Sequence, residues 1–378
     1  MRIENGILQT MDGITYERGF VDCEGGVITA VGDMRDAPDY AGERFDARGG
    51  FILPGLIDAH THIGISEEGL RWEGEDCNEV VNPVSPHLRA VDGFNPLDRA
   101  IPKAVAAGVT TVLVAPGSAN VIGGQIAAIK LDGVNVSDMI LKAPCAIKFA
   151  LGENPKRTYG ENKSKSPMTR MAIAALMRAA LTKARRYKAK EEKGEDVWDE
   201  EDDALLPLLR GEIPAHFHAH RADDMLTAMR IANEFQLKYT IIHATQSLEI
   251  APVIQASGIV PIVGPSLGPA SKPETVGGSF ETTGALYRQG IEVAVTTDHD
   301  VTPLWMLPVF AAMCVREGLP EDAALRAITI NGAKAAGIDV RVGSLTVGKD
   351  ADIVVFNGHP FELRTKAARV WIGGKQVK

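Results

Sequence analysis

A (β/α)8 barrel carrying a small β-sandwich built from both chain ends is the fold class this sequence predicts, and three observations predict it. Both termini break into short apolar runs punctuated by Gly and Asp, as strands and turns do. The middle, residues 51–339, alternates such runs with helix-like stretches, the pattern of a parallel α/β domain. The chain of 378 residues is long enough for a barrel plus a smaller unit.

The N-terminal pieces are Gly6-Ile-Leu-Gln, Gly19-Phe-Val-Asp-Cys and Gly26-Val-Ile-Thr-Ala-Val31. Their C-terminal counterparts are Gly343-Ser-Leu-Thr, Ala351-Asp-Ile-Val-Val-Phe356 and Ala368-Arg-Val-Trp-Ile372. Neither set can bury a core alone, so residues 1–50 and 340–378 are expected to pair as one composite domain. Within 51–339 the strand candidates include Thr110–Ala115, Ala146–Ala150, Tyr239–Ile242, Ile259–Val263 and Glu292–Thr296. A doubly wound sheet is the rival, but no Gly-x-Gly-x-x-Gly follows an early strand. The charged run 183–203 reads as a solvated helix extending outward between two barrel strands, or else as a partner-binding arm.

Composition narrows the function. A formal charge of −9 disfavours nucleic-acid binding. No apolar run approaches a bilayer span and the N-terminus lacks a signal-peptide pattern. Cys23, Cys77, Cys145 and Cys314 are scattered, as free thiols in a reducing cytoplasm would be. The expected location is therefore cytoplasmic, and the expected partners are a small-molecule substrate and further copies of the chain in a homo-oligomer.

The chemistry begins at His60 and His62, which end the apolar run Phe51–Ile57 and its continuation Asp58-Ala-His-Thr-His62. Two residues apart on an extended chain, both imidazoles face one side, and at the C-terminal end of a barrel strand that side is where sites form. Such a pair suits a divalent cation, though a bare His-x-His also occurs on surfaces. Pro54-Gly-Leu-Ile-Asp-Ala-His-Thr-His62 resembles the signature that opens the barrel in the amidohydrolase superfamily. Asn331-Gly-Ala-Lys-Ala-Ala-Gly337 and Gly343–Asp352 are similar to its return into the β-sandwich. The resemblance spans essentially the whole chain and is nearest in texture to the imidazolonepropionase-like enzymes and the Xaa-Pro and Xaa-Arg dipeptidases.

That resemblance implies ligands at further strand ends. Lys148, in Cys145-Ala-Ile-Lys-Phe-Ala-Leu-Gly152, matches a lysine that is carboxylated and bridges two metals; a buried amine also gains from neutralisation. A lysine snorkelling from a strand end is the plainer reading, and Glu153 is the rival bridge. In Ala215-His-Phe-His-Ala-His-Arg221 the family's ligand maps to His218, with His216 a layer deeper and His220 nearer the mouth. His243 matches the family's next histidine. Asp298, rather than His299 or Asp300, matches the aspartate that binds metal and takes the proton of the attacking water.

Two departures bear on the reaction. Imidazolonepropionase itself has an acid after its fifth-strand histidine, and this chain does not. Deaminases of the superfamily carry a glutamate where this chain has Arg221, so amide or peptide hydrolysis gains over ring deamination. The implied activity is hydrolysis of a C–N bond by metal-activated water, with a dipeptidase first and a cyclic-amide hydrolase or deaminase second. A non-catalytic binding or structural homologue comes last. Zinc is the expected ion, with manganese or iron also suited, as one or two ions. Gln125, in the Gly-rich stretch Pro116–Gln125, is a candidate for substrate binding, although that stretch also reads as a tight turn. Arg157 as a carboxylate clamp, Tyr159, His220 and Arg221 complete that list.

Overall fold

The structure, a computed structural model, describes residues 1–195 and 198–378. Eight strands form the barrel sheet in chain order: Leu56–Thr61, Val109–Val114, Ile122–Lys130, Ile140–Ala150, Ala215–Ala219, Tyr239–His243, Ile262–Val263 and Ala294–Val295. Most of these strands are buried on both faces, which is why they read as continuous apolar runs rather than alternating ones.

The third strand departs from the expected all-parallel order, for Ile122–Lys130 runs antiparallel to both its neighbours. Parallel neighbours need a crossover of a dozen or more residues. The short links 115–121 and 131–139 leave no room for one, and an alternation of apolar runs carries no signal of direction. The Gly-rich stretch Pro116–Gln125 accordingly ends inside this strand instead of forming one turn.

Among the described residues, no ladder joins the eighth strand to the first. Isolated hydrogen bonds, most of them from side chains, close the barrel instead. Thr296 Oγ1 donates to the His60 carbonyl at 2.6 Å, and the His62 N–H donates to the His299 carbonyl at 2.6 Å. Asp58 Oδ2 accepts from both the N–H and the hydroxyl of Thr297.

The two chain ends build one continuous sheet. Its order is Lys375–Gln376, Ala367–Ile372, Ile353–Phe356, Phe51–Pro54, Arg2–Gln9, Thr15–Glu24 and Val27–Asp33, with Arg44–Asp46 also paired to Arg2–Gln9. Phe51–Pro54 is the splice, parallel to Arg2–Gln9 and antiparallel to Ile353–Phe356. It therefore lies on the terminal-sheet side of the boundary expected at residue 50. Ile3, Leu8, Val21, Ile28, Ile52, Ile353, Val355 and Trp371 form this unit's buried core. Lys130 on the third barrel strand ties it to the barrel through Asp350 (2.6 Å) and Asp352 (2.9 Å).

The charged run does not project outward. Its first part is the end of the helix Arg170–Glu191, capped by the Thr169 hydroxyl accepting from the Ala172 N–H. Ile173, Met177, Leu181 and Ala184 recur at helical spacing on its buried face. Lys183 reaches Asp199 at 2.7 Å, so the charges satisfy one another along the surface. Residues 196–197 of the run lie outside the described residues.

Candidate metal centre

The site forms where barrel strands end. His60 and His62 follow Asp58, whose second oxygen accepts the His60 N–H at 3.1 Å and so fixes the strand end that presents both rings. His62 Nδ1–H donates to the Ala115 carbonyl and His243 Nδ1–H donates to the Gly264 carbonyl, each at 2.7 Å. These bonds select the tautomer with Nε2 unprotonated and hold each ring in place, as partners of metal-binding histidines do. His243 and Asp298 both sit at positive φ, 74° and 50°, a conformation that non-glycine residues adopt rarely and that clusters at functional sites.

Asp298 Oδ1 lies 3.3 Å from His60 Nε2 and 3.5 Å from His62 Nε2. His60, His243 and Asp298 form one group of convergent ligand atoms, and His218, His220 and His243 form a second. The His218 and His243 rings are 4.4 Å apart between centroids, and His220 stacks on His243 at 4.5 Å. Lys148 Nζ donates to His60 Nε2 at 3.2 Å from the floor of the barrel.

The electrostatics suit a cation. Burial holds His60 and His218 neutral, well below the usual imidazole range, with the Lys148 charge adding to the effect on His60 and His243 to that on His218. Burial likewise brings His243 down to about 4. Burial alone would raise the Asp298 carboxyl, but His243, His60 and His62 outweigh it and hold the group well below the carboxylate range. Burial lowers Lys148 to about 8. Neutral imidazoles around an ionised carboxylate are the protonation states that ligate zinc-like ions. Asp298 Oδ1 is buried without a hydrogen-bond partner, which a bound cation would supply.

Above these groups is a cavity of about 490 Å³ lined by His60, His62, His218, His220, His243 and Asp298, with Asn78, Ser118, Asn154 and the loop 265–278 at its mouth. The other candidates lie elsewhere. Gln125 pairs along the third strand and faces separate cavities with Arg89. Glu153 meets the site through its backbone, its N–H donating to Glu274 Oε2. Residues 153–161 wind into helical turns, which leaves Arg157 exposed and buries Tyr159, whose hydroxyl donates to the Asn82 carbonyl at 2.7 Å. Arg221 is exposed and pairs with Asp223 at 2.9 Å. His216 is a layer deeper, bonded to the Ala335 carbonyl. Of the five substrate-binding candidates, His220 alone lines the cavity.

Sequence reading missed Lys272 and Glu274. Glu274 is buried, with Oε1 3.7 Å from His218 Nε2 and 3.9 Å from His220 Nε2, and Lys272 Nζ lies 2.8 Å from the same oxygen. The available signal was an acid and a base inside the Gly/Pro-rich loop after the seventh strand, on the face where barrel sites are built.

A model of the amidohydrolase family matches residues 51–377. The chain belongs to this family. It is similar to the amidohydrolase tasK of Hapsidospora irregularis, 30% identical over 96% of this chain and 40% of that protein; it thus spans about two-fifths of that relative's length. An imidazolonepropionase of Sphingopyxis alaskensis is 24% identical over 96% of this chain and 93% of its own. The crystal structure of an amidohydrolase from Thermotoga maritima superposes with a TM-score of 0.95 at 40% identity, covering 100% of this chain and 99% of that one. This amidohydrolase is therefore a hydrolase acting on C–N bonds, and its His/Asp cluster is able to hold a metal ion.

Proposed function

We propose that the chain hydrolyses the amide bond of a compact substrate, using water activated by metal held at His60, His62 and Asp298. A second position would lie at His218 and His243, and Lys148, whose Nζ is 3.2 Å from His60 Nε2, would once carboxylated supply an oxygen ligand to the first. The observation that carries this reading is the convergence of unprotonated imidazole nitrogens on the ionised, otherwise unpartnered Asp298. A divalent ion there lowers the pKa of bound water and polarises a carbonyl. Asp298 is placed to take the proton of the attacking water and pass it to the leaving nitrogen. His62 and His243, pinned to carbonyls, keep the site from reorganising as charge develops.

The walls favour a cyclic amide over a free dipeptide. A dipeptide brings a carboxylate, which a planar arginine fork binds best. Among the described residues no arginine lines the cavity, and its one lysine, Lys272, is already paired with Glu274. The imidazolonepropionase relative, whose name denotes a cyclic-amide substrate, supports the same preference. The absence of a fifth-strand glutamate still argues against deamination.

The test is a screen of the zinc-loaded full chain against lactams, cyclic ureides, free and blocked dipeptides and aminated heterocycles. Ring opening without ammonia release is expected. Dipeptide cleavage would overturn the substrate class. A protein that holds no metal and turns over nothing would overturn the whole reading.

A further inference from the structure

The loop that follows the seventh barrel strand carries a carboxylate into the histidine cluster, and nothing in the family resemblance accounts for it. Glu274 is 3% exposed. Its two oxygens have different surroundings: Oε2 accepts the Glu153 N–H at 2.9 Å, while Oε1 faces His218 Nε2 at 3.7 Å and His220 Nε2 at 3.9 Å. His220 is oriented for this by its other nitrogen, since Nδ1 meets Thr245 Oγ1 at 2.8 Å. Ligand atoms of a tetrahedral zinc, each about 2.0–2.1 Å from the ion, stand roughly 3.3 Å apart. The observed spacings exceed that by a few tenths of an ångström, the opening a cation would draw in.

We propose that His220 and Glu274 complete the second cation position, giving it four protein ligands with His218 and His243. This rests on the hydrolase reading above and deepens it. Four protein ligands make a closed site, which in zinc proteins is structural, whereas catalytic sites keep a position open for water. The second ion then fastens the 265–278 loop over the cavity while His60, His62 and Asp298 keep the open position. Lys272 marks the same spot. Its ammonium sits 2.8 Å from Glu274 Oε1 and donates to Asn154 Oδ1 at 2.8 Å, supplying positive charge where the ion would add more. A carboxylate oxygen has two lone-pair directions and accommodates both.

Zinc titration of the full-length, chelator-stripped protein, followed by calorimetry and elemental analysis, tests this. Wild type is expected to take up two equivalents. His220→Asn and Glu274→Gln are each expected to lose one, its affinity falling more than the roughly 10–100-fold typical of removing an outer partner. Lys272→Met separates a ligand from a mere loop latch: removing the competing ammonium leaves uptake intact or tightens it, whereas a latch role weakens zinc binding as Glu274→Gln does. Thermal melts of the metal-free variants establish that they fold. Two equivalents retained in both His220→Asn and Glu274→Gln would overturn the closed site and leave the hydrolase reading standing. So would a wild type that binds one ion, abolished by His60→Asn and untouched by Glu274→Gln. A wild type that binds none would overturn both.

Discussion

Asp58 and Thr297 join the first barrel strand to the eighth where no backbone ladder does so. One Asp58 oxygen accepts both the Thr297 N–H, at 2.9 Å, and its hydroxyl, at 2.6 Å. Thr297 precedes Asp298, and Asp58 stands two residues before His60. This buried carboxylate, with the Thr296–His60 and His62–His299 bonds beside it, therefore sets the separation between Asp298 and the His60–His62 pair.

Asp58→Ala strands three buried donors, the N–H and hydroxyl of Thr297 and the N–H of His60, each costing about 1–3 kcal/mol. The expected loss is at least about 3 kcal/mol, read from denaturant unfolding of metal-free protein so that zinc linkage does not enter. Zinc affinity should fall as well, although residue 58 touches no ion. Unchanged stability and affinity would reduce Asp58 to a bystander.

How much of this was legible follows from where each signal is stored. His60 and His62 could be read because a period-two chain at a strand end sends both rings the same way, and His218, His243 and Asp298 because each closes an apolar run. The reversed third strand could not, since burial pattern is blind to strand direction. Nor could the displacement of Arg157 and Arg221: whether a loop arginine turns inward depends on helical winding after residue 153 and on the Asp223 partner, neither of which spacing reports. Glu274 lies in a segment whose Gly and Pro residues announce a loop but not its path.

Lys148 offers a chemical prediction. Burial lowers its pKa to about 8, so about one amine in ten is neutral at pH 7, against fewer than about one in a thousand for an ordinary lysine. Carboxylation consumes the neutral amine and CO2 and releases a proton. Activity reconstituted with zinc should therefore rise several-fold when bicarbonate is added to CO2-free buffer, and Lys148→Met should lose that response. Electron density ending at Nζ, with bicarbonate having no effect, would leave Lys148 as a hydrogen-bond donor to His60.

Asp350 carries the load between barrel and terminal sheet, meeting Lys130 and Arg341 each at 2.6 Å. Burial would raise its pKa, but these partners outweigh burial and depress it below 3.8. A depressed carboxyl contributes stability that is present above the unfolded pKa and lost as pH falls through the folded one. Asp350→Asn should cost about 2–4 kcal/mol at neutral pH. The gap from wild type should narrow below pH 3.8 and keep narrowing as the folded group titrates. A gap independent of pH would show that packing, not charge, sets the cost.

Arg157 and Arg221 provide a negative prediction. Both are exposed, and Arg221 is paired with Asp223. Alanine at either position should change kcat/KM by less than about threefold, since surface substitutions away from buried networks stay within about 0.5 kcal/mol. A rise in KM of tenfold or more with either variant would mean that loop closure brings the side chain to the substrate, and would restore the dipeptide reading.

Asp298 is the sharpest test of mechanism. Asn preserves its size and one oxygen, so the contacts with His60 and His62 can persist while the charge and the proton-accepting capacity are lost. General base catalysis contributes about 10²–10⁴-fold, and Asp298→Asn should lower kcat by that much while zinc at the second position stays bound. Its neighbours hold Asp298 well below the carboxylate range, so wild type should show no limb of kcat/KM arising from its protonation near pH 4. Loss of both zinc equivalents in Asp298→Asn, measured by elemental analysis before any kinetics, would show the residue to be the keystone of the metal cluster rather than its base.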